Sequence, residues 1–181
     1  REAAGVKPSD PGLALARGIV QLKSGDPVAA RESFHGYRTV AGSEAPPAIY
    51  YAFAVLAAAM GGHLQEAIAL GREGLQLYPG EAALLVNTGA VLDRKGDHEA
   101  AEQYFQRALS LGSDSPPQAH KNLGDQALRR GDLEVARSHF EMAVKASPSL
   151  GDDVYLRLGE IALAEADREM AALFLRRSLE L

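Results

Sequence analysis

The sequence predicts an all-α fold built from repeated helix pairs, and a short phrase that returns at a fixed spacing carries most of that prediction. The phrase runs from Gly25-Asp26 to Ala30, Gly62-His63 to Ala67, Gly96-Asp97 to Ala101, Gly131-Asp132 to Ala136 and Ala166-Asp167 to Ala171, at spacings of 37, 34, 35 and 35 residues. Two further positions keep the same phase. Gly18, Val55, Gly89, Gly124 and Gly159 stand seven residues before each phrase, and Phe34, Gly71, Phe105, Phe140 and Leu175 stand nine residues after its first residue. Self-similarity at this period marks a repeat array in which each unit is one supersecondary element.

Each unit reads as two amphipathic helices. Asp10-Pro11 opens the first helix of the first unit, and Asp26-Pro27 opens its second, because an aspartate caps exposed N–H groups and proline suits the first helical turn. In the second unit Pro46 breaks the chain, Gly61-Gly62 makes the turn, and Pro79 ends the unit. Gly71 and Gly74 within its second helix predict thin packing, with a propensity loss of about 1 kcal/mol each. The third unit contains the amphipathic stretch Leu84 to Lys95 and turns at Gly96. The fourth opens at Ser115-Pro116, turns at Gly131 and closes at Pro148. In the fifth, Asp152-Asp153 suits the positive end of a first helix, and Ala166 replaces the turn glycine.

The fourth unit, with Leu123-Gly124, Ala127, Gly131, Ala136, Phe140, Ala143 and Pro148 in phase, resembles the tetratricopeptide repeat (TPR) pattern, and the resemblance covers nearly the whole chain. It implies a right-handed α-solenoid of helix-turn-helix repeats at about 11–44, 48–81, 82–115, 117–150 and 152–181, after an N-terminal extension over 1–10. It also implies binding of a protein or peptide in a concave groove lined by first helices.

Composition narrows the function. Of 181 residues 46% are hydrophobic, yet no apolar run is long enough to span a bilayer as a helix. The 19 basic and 24 acidic residues are interspersed, for a net charge of −5, which argues against a nucleic-acid footprint. Cysteine is absent, so disulfide and thiol chemistry are excluded. No Gly-rich phosphate loop, Gly-x-Ser-x-Gly elbow or His-Glu-x-x-His occurs. The five histidines occupy unrelated repeat positions; His120 falls where other units carry Ala14, Tyr51, Leu85 and Tyr155, as a packing residue would. His98 and Glu102 share a helix face without further ligands, which makes a poor metal site. A non-catalytic segment without cofactor or metal is expected.

Groove positions divide the array. The N-terminal half presents Leu15, Ile19, Leu22, Ile49, Phe53, Leu56 and Met60. The C-terminal half presents Asn87, Asp93, Arg94, Gln118, Lys121, Asn122, Asp125, Arg129, Arg157 and Glu160. Apolar surface of that extent calls for a cover: a partner, residues 1 to 10, upstream chain, or a tighter bend of the array. Asn87, Asn122 and Arg157 share one repeat position, so they form a row whose asparagines can both give and accept hydrogen bonds along a peptide backbone. The row resembles the asparagine ladders of peptide-binding TPR proteins, the alternative being internal bonds between repeats. It also resembles part of the carboxylate clamp of chaperone-binding TPR domains, but Val86, Ala90 and Asp153 break that set and leave Asn122 and Arg157. Lys23, Arg94 and Arg129 form a second row that suits the negative ends of first helices.

The expected function is therefore a non-catalytic protein-interaction module, part of a larger bacterial protein, with Asn87, Asn122, Arg157, Lys121, Arg94, Arg129, Phe53, Leu56 and Ile19 as its partner-binding residues. The alternatives are an oligomerisation scaffold working through its open ends, and the substrate-recruiting arm of an enzyme whose catalytic domain lies elsewhere. Leu173, Phe174, Leu179 and Leu181 make the last helix apolar for a terminal cap, which predicts self-association through the C-terminal repeat.

Overall fold

The computed structural model describes residues 10–112 and 116–180. Among the described residues there are ten α-helices and no strand. They are α1 Pro11–Lys23, α2 Pro27–Ala41, α3 Ala48–Met60, α4 Leu64–Leu77, α5 Ala82–Lys95, α6 His98–Leu109, α7 Pro117–Arg130, α8 Leu133–Ala146, α9 Gly151–Ala164 and α10 Arg168–Leu179, with a 3-10 turn at Pro148–Leu150. Ser115, expected to open α7, lies outside the described residues. They form two compact units, one up to Gly96 and one from Asp97.

The turn chemistry follows the repeated phrase. Gly25, Gly62, Gly96 and Gly131 have φ between 82° and 94°, left-handed conformations that a side chain disfavours. Ala166 takes φ 61° at the same place, so the fifth turn carries strain that the other four avoid. Asp26, Asp97 and Asp167 cap α2, α6 and α10 by accepting the N–H of Ala29, Ala100 and Met170. Asp132 departs from that role: Arg130 Nε lies 3.3 Å from its carboxylate, and no side-chain cap bond forms at α8.

In the first unit the buried face of α3, with Tyr50, Tyr51, Ala54, Val55 and Ala58, packs against α2, α4 and α5, whose buried residues include Phe34 and Tyr37, Ile68 and Leu75, and Leu84 and Leu85. In the second unit Ala127, Ala136, Phe140, Ala143, Val154, Leu158 and Ile161 form one cluster. The phase-locked glycines seat bulky neighbours: a Cβ on Gly18 would stand 2.7 Å from the Phe34 ring, on Gly124 2.7 Å from Phe140, and on Gly159 2.8 Å from Leu175.

Gly71 and Gly74 do not mark slack, contrary to the expectation of thin packing. Both are buried. A Cβ on Gly71 would meet Thr88 Oγ1 at 2.2 Å, and one on Gly74 would meet Tyr51 Cγ at 2.6 Å and Leu84 Cδ2 at 2.7 Å. Repeat two carries the bulky residue, Val55, on its first helix and the glycine on its second, and Thr88 and Leu84 of α5 close against the bare face of α4.

Candidate functional site

In the first unit, α1, α3 and α5 are first helices, and α1–α3 and α3–α5 pack as neighbours. Ile19 of α1 and Phe53 and Leu56 of α3 are half-buried, while Ile49 and Met60 are 50% and 54% exposed. Leu22, expected on this strip, is buried and contributes to the core instead. Polar residues of α5 border the strip. Asn87 Nδ2 donates to the Ala52 carbonyl at 3.1 Å, and Arg94 Nη1 donates to the Ala59 carbonyl at 2.8 Å, each reaching 35 residues back onto α3. These bonds are internal ties between adjacent first helices. They fix both side chains, and the Asn87 Oδ1 acceptor is left outside that tie.

In the second unit, first helices α7 and α9 carry a charged network. Lys121 Nζ lies 3.0 Å from Asp125 and 2.8 Å from Asp153. Arg157 Nη1 lies 3.0 Å from Glu160, and its Nε stands 3.6 Å from Asp125, too far for a good hydrogen bond. Burial works against the Lys121 charge, but hydrogen bonds to Asp153 and Asp125 outweigh it and raise the ammonium pKa. For Arg157 the hydrogen bond to Glu160 dominates and raises the pKa. Asn122 is half-buried beside Lys121. Arg129 lines a small cleft with His98, Gln126 and Arg130. Lys121 and Arg157 therefore sit within one side-chain network, while Asn87, Arg94, Ile19, Phe53 and Leu56 belong to the first unit. His98 and Glu102 gather no further ligands: among the described residues no three His, Asp or Glu side chains converge as a metal site would require.

A second cluster escaped the sequence reading. Arg31 of α2 pairs with Glu66 of α4 at 2.8 Å, His35 Nε2 meets the other Glu66 oxygen at 2.9 Å, and Arg38 pairs with Glu73. Arg38 also donates to the Tyr50 hydroxyl at 3.2 Å, and Tyr51 donates to Glu73 at 2.8 Å. Burial raises the Tyr51 pKa, and the Glu73 carboxylate adds to that rise, so the phenol stays protonated as a donor. The signal was present: Arg31/Glu66 and Arg38/Glu73 both stand one repeat apart, 35 residues.

In the second unit His120 packs on His139, their Nδ1 atoms 3.0 Å apart. Tyr155 and Phe174 stack at the corresponding positions of the fifth repeat. The expected packing role of His120 is thus the geometry observed.

Comparison with known proteins gives a consistent picture. The tetratricopeptide repeat family matches residues 57–116, 89–151 and 121–181. Among solved structures, Pseudomonas aeruginosa PilF is 18% identical with a TM-score of 0.80, covering 94% of this chain and 75% of its own. MamA from Desulfovibrio magneticus RS-1 is 19% identical with a TM-score of 0.71, covering 94% of each chain. YrrB, described as a TPR protein with an unusual peptide-binding site, is 19% identical with a TM-score of 0.62, covering 96% of this chain and 87% of its own. At these identities the likeness is one of fold. No curated protein matches the sequence.

Proposed function

This chain belongs to the tetratricopeptide repeat family, and we propose that it is a non-catalytic interaction module that takes an extended segment of a partner protein along its first helices. The observation that carries the reading is the apolar strip of the first unit. On α3 Phe53 and Leu56 are partly open between the exposed Ile49 and Met60, and Ile19 is half-buried on the neighbouring α1; free monomers rarely leave contiguous apolar surface uncovered. Beside it, Asn87 is held by Ala52 with a side-chain acceptor still available to a peptide N–H. The second unit offers a polar surface of its own, where Asn122 stands beside a network that holds the cations Lys121 and Arg157 among three carboxylates. Arg94 and Arg129 serve as flanking cations. The peptide-binding site named for YrrB supports the same kind of ligand here.

The test is a random dodecapeptide display library selected on the immobilised chain. The expected peptides carry apolar anchors, and Phe53→Ser with Leu56→Ser weakens them at least tenfold. Asn87→Ala with Asn122→Ala costs about 1 kcal/mol per lost hydrogen bond, roughly fivefold each, at unchanged helical content. Selected peptides that bind the Phe53/Leu56 variant as well as the parent overturn the reading.

A further inference from the structure

The first unit contains a slot that the first-helix reading does not use. It lies on the second-helix side, walled by Phe34 of α2, Ala54 of α3, and Ala69 and Leu70 of α4. Its volume is about 320 Å³, at the lower end of the range of about 300–1,000 Å³ for ligand pockets, which suits one compact molecule or one side chain. Each end is closed by an ion pair. Arg31 and Glu66 close one end, joined by His35; Arg38 and Glu73 close the other, joined by the Tyr50 and Tyr51 hydroxyls. Arg31 and Arg38 are seven residues apart on α2, so the ends are separated by about 10 Å at 1.5 Å per residue.

The two ends differ in what they leave over. Both Glu66 oxygens are engaged, one by Arg31 Nε and the other by His35. Among the described residues Arg31 engages only its Nε, which leaves its two terminal NH₂ groups as a planar fork, and its side chain is 33% exposed. At the other end Arg38 spends Nε and Nη2 on Tyr50, Tyr51 and Glu73, and acts as a brace. An apolar trough with a spare guanidinium fork at one end selects a particular shape of molecule, because such a fork matches a carboxylate bidentately.

We propose that this slot binds an apolar carboxylate, with a compact aromatic or branched body against Phe34, Ala54 and Leu70 and the carboxylate on the terminal nitrogens of Arg31. The same chemistry is offered by a small organic acid and by the free C-terminus of a chain ending in an apolar residue.

The experiment is an NMR titration of the isotope-labelled chain with 4-phenylbutyrate and its isosteres 4-phenylbutylamine and 4-phenylbutyramide. The expected result is saturable shifts at Ala54 and Leu70, with the acid at least tenfold tighter than the amine or amide. Arg31→Gln removes that preference, and Arg31→Lys restores part of it. Ala69→Phe, at an exposed position on the slot wall, blocks all three probes. A short peptide ending in phenylalanine, with free or amidated terminus, separates the sources: tighter binding of the free form than of phenylbutyrate identifies a chain end, and the reverse a small acid. Equal binding of acid and amine overturns the proposal, as do shifts that avoid the slot and a preference for the acid that survives Arg31→Gln in a normally folded variant.

Discussion

Replacing Gly71 by alanine should destabilise the first unit, although it puts the best helix former in place of a poor one. The propensity gain is about 1 kcal/mol. Against it stands the new Cβ, 2.2 Å from Thr88 Oγ1, 2.8 Å from its Cγ2 and 3.0 Å from its Cβ. Rotating Thr88 about χ1 exchanges one close branch for the other, and Oγ1 would lose its 2.7 Å bond to the Leu84 carbonyl. The relief must therefore come from moving α5 off α4, and overpacking of this kind costs about 1–3 kcal/mol. Taking the upper part of that range for a contact so short, the net expectation is a loss of about 1–2 kcal/mol.

Urea unfolding followed by circular dichroism at 222 nm reads this directly as a lower midpoint. A double-mutant cycle isolates the cause, since Thr88→Ala removes the two atoms that approach within 2.8 Å. In that background Gly71→Ala should recover at least about 1 kcal/mol of its cost, the size of coupling expected for residues in contact. A Gly71→Ala variant as stable as the parent, or a penalty undiminished in the Thr88→Ala background, would refute close contact with Thr88 as the reason for the glycine.

Three further expectations test other parts of the molecule. Ala166→Gly should stabilise the second unit by about 0.5–1 kcal/mol, as relief of about 1–2 kcal/mol of left-handed strain exceeds the entropic cost of glycine; an unchanged or lower urea midpoint would count against strain at φ 61°. His120 and His139 have pKa values lowered chiefly by burial, His139 adding to the fall at His120 and Glu102 opposing it at His139; the unfolded chain therefore binds more protons, and this contribution is present above about pH 6.5 and lost as pH falls through the folded values. His120→Tyr with His139→Phe, which copies the Tyr155–Phe174 pair, should flatten the fall in melting temperature between pH 7 and 5, and an equally steep fall would exonerate the pair. Leu173 and Leu179 are 57% and 88% exposed, so light scattering should show concentration-dependent association that declines when both become polar; a strict monomer at all concentrations would leave the scaffold alternative without support.

The helices and turns were legible because they depend on local chemistry repeated five times. A left-handed glycine before a helix start needs no knowledge of the neighbours, and Ala166 keeps the same phase; the side-chain cap is less regular, since His63 and Asp132 make none. Gly71 was misread because its meaning lies in a pair. Gly18 with Phe34, Gly124 with Phe140 and Gly159 with Leu175 put the small residue on the first helix, whereas Val55 and Gly71 at the equivalent repeat positions invert the order, and the side chain that meets Gly71 is Thr88 of α5. Taken singly, Gly71 is a missing phenylalanine; taken with Val55, it is a place for the next helix. The groove residues were legible by position but not by partner. Nothing in the sequence around Asn87 or Arg94 shows that each is tied to a carbonyl of α3, because a long or polar side chain has many partners within reach and only packing selects among them.

The inversion at Gly71 also bears on the slot. With glycine at 71 and 74, α4 is bare on the side that meets Tyr51, Leu84 and Thr88, and α3 and α5 close on its backbone there. Toward α2 the same helix shows Glu66, Ala69, Leu70 and Glu73. Between the two glutamates only Ala69 and Leu70 of α4 face the slot, which leaves space before Phe34, and the long arginines of α2 border it at the ends. A trough with ionic ends is therefore what remains when one face of a helix is pared down for close packing and the adjacent face carries acids one repeat away from arginines. Packing and recognition are then coupled in this unit. Whatever shifts α5 off α4, as an alanine at Gly71 would, also moves the α4 wall of the slot. Phenylbutyrate affinity in the Gly71→Ala variant should consequently change even though residue 71 itself is not part of the slot lining.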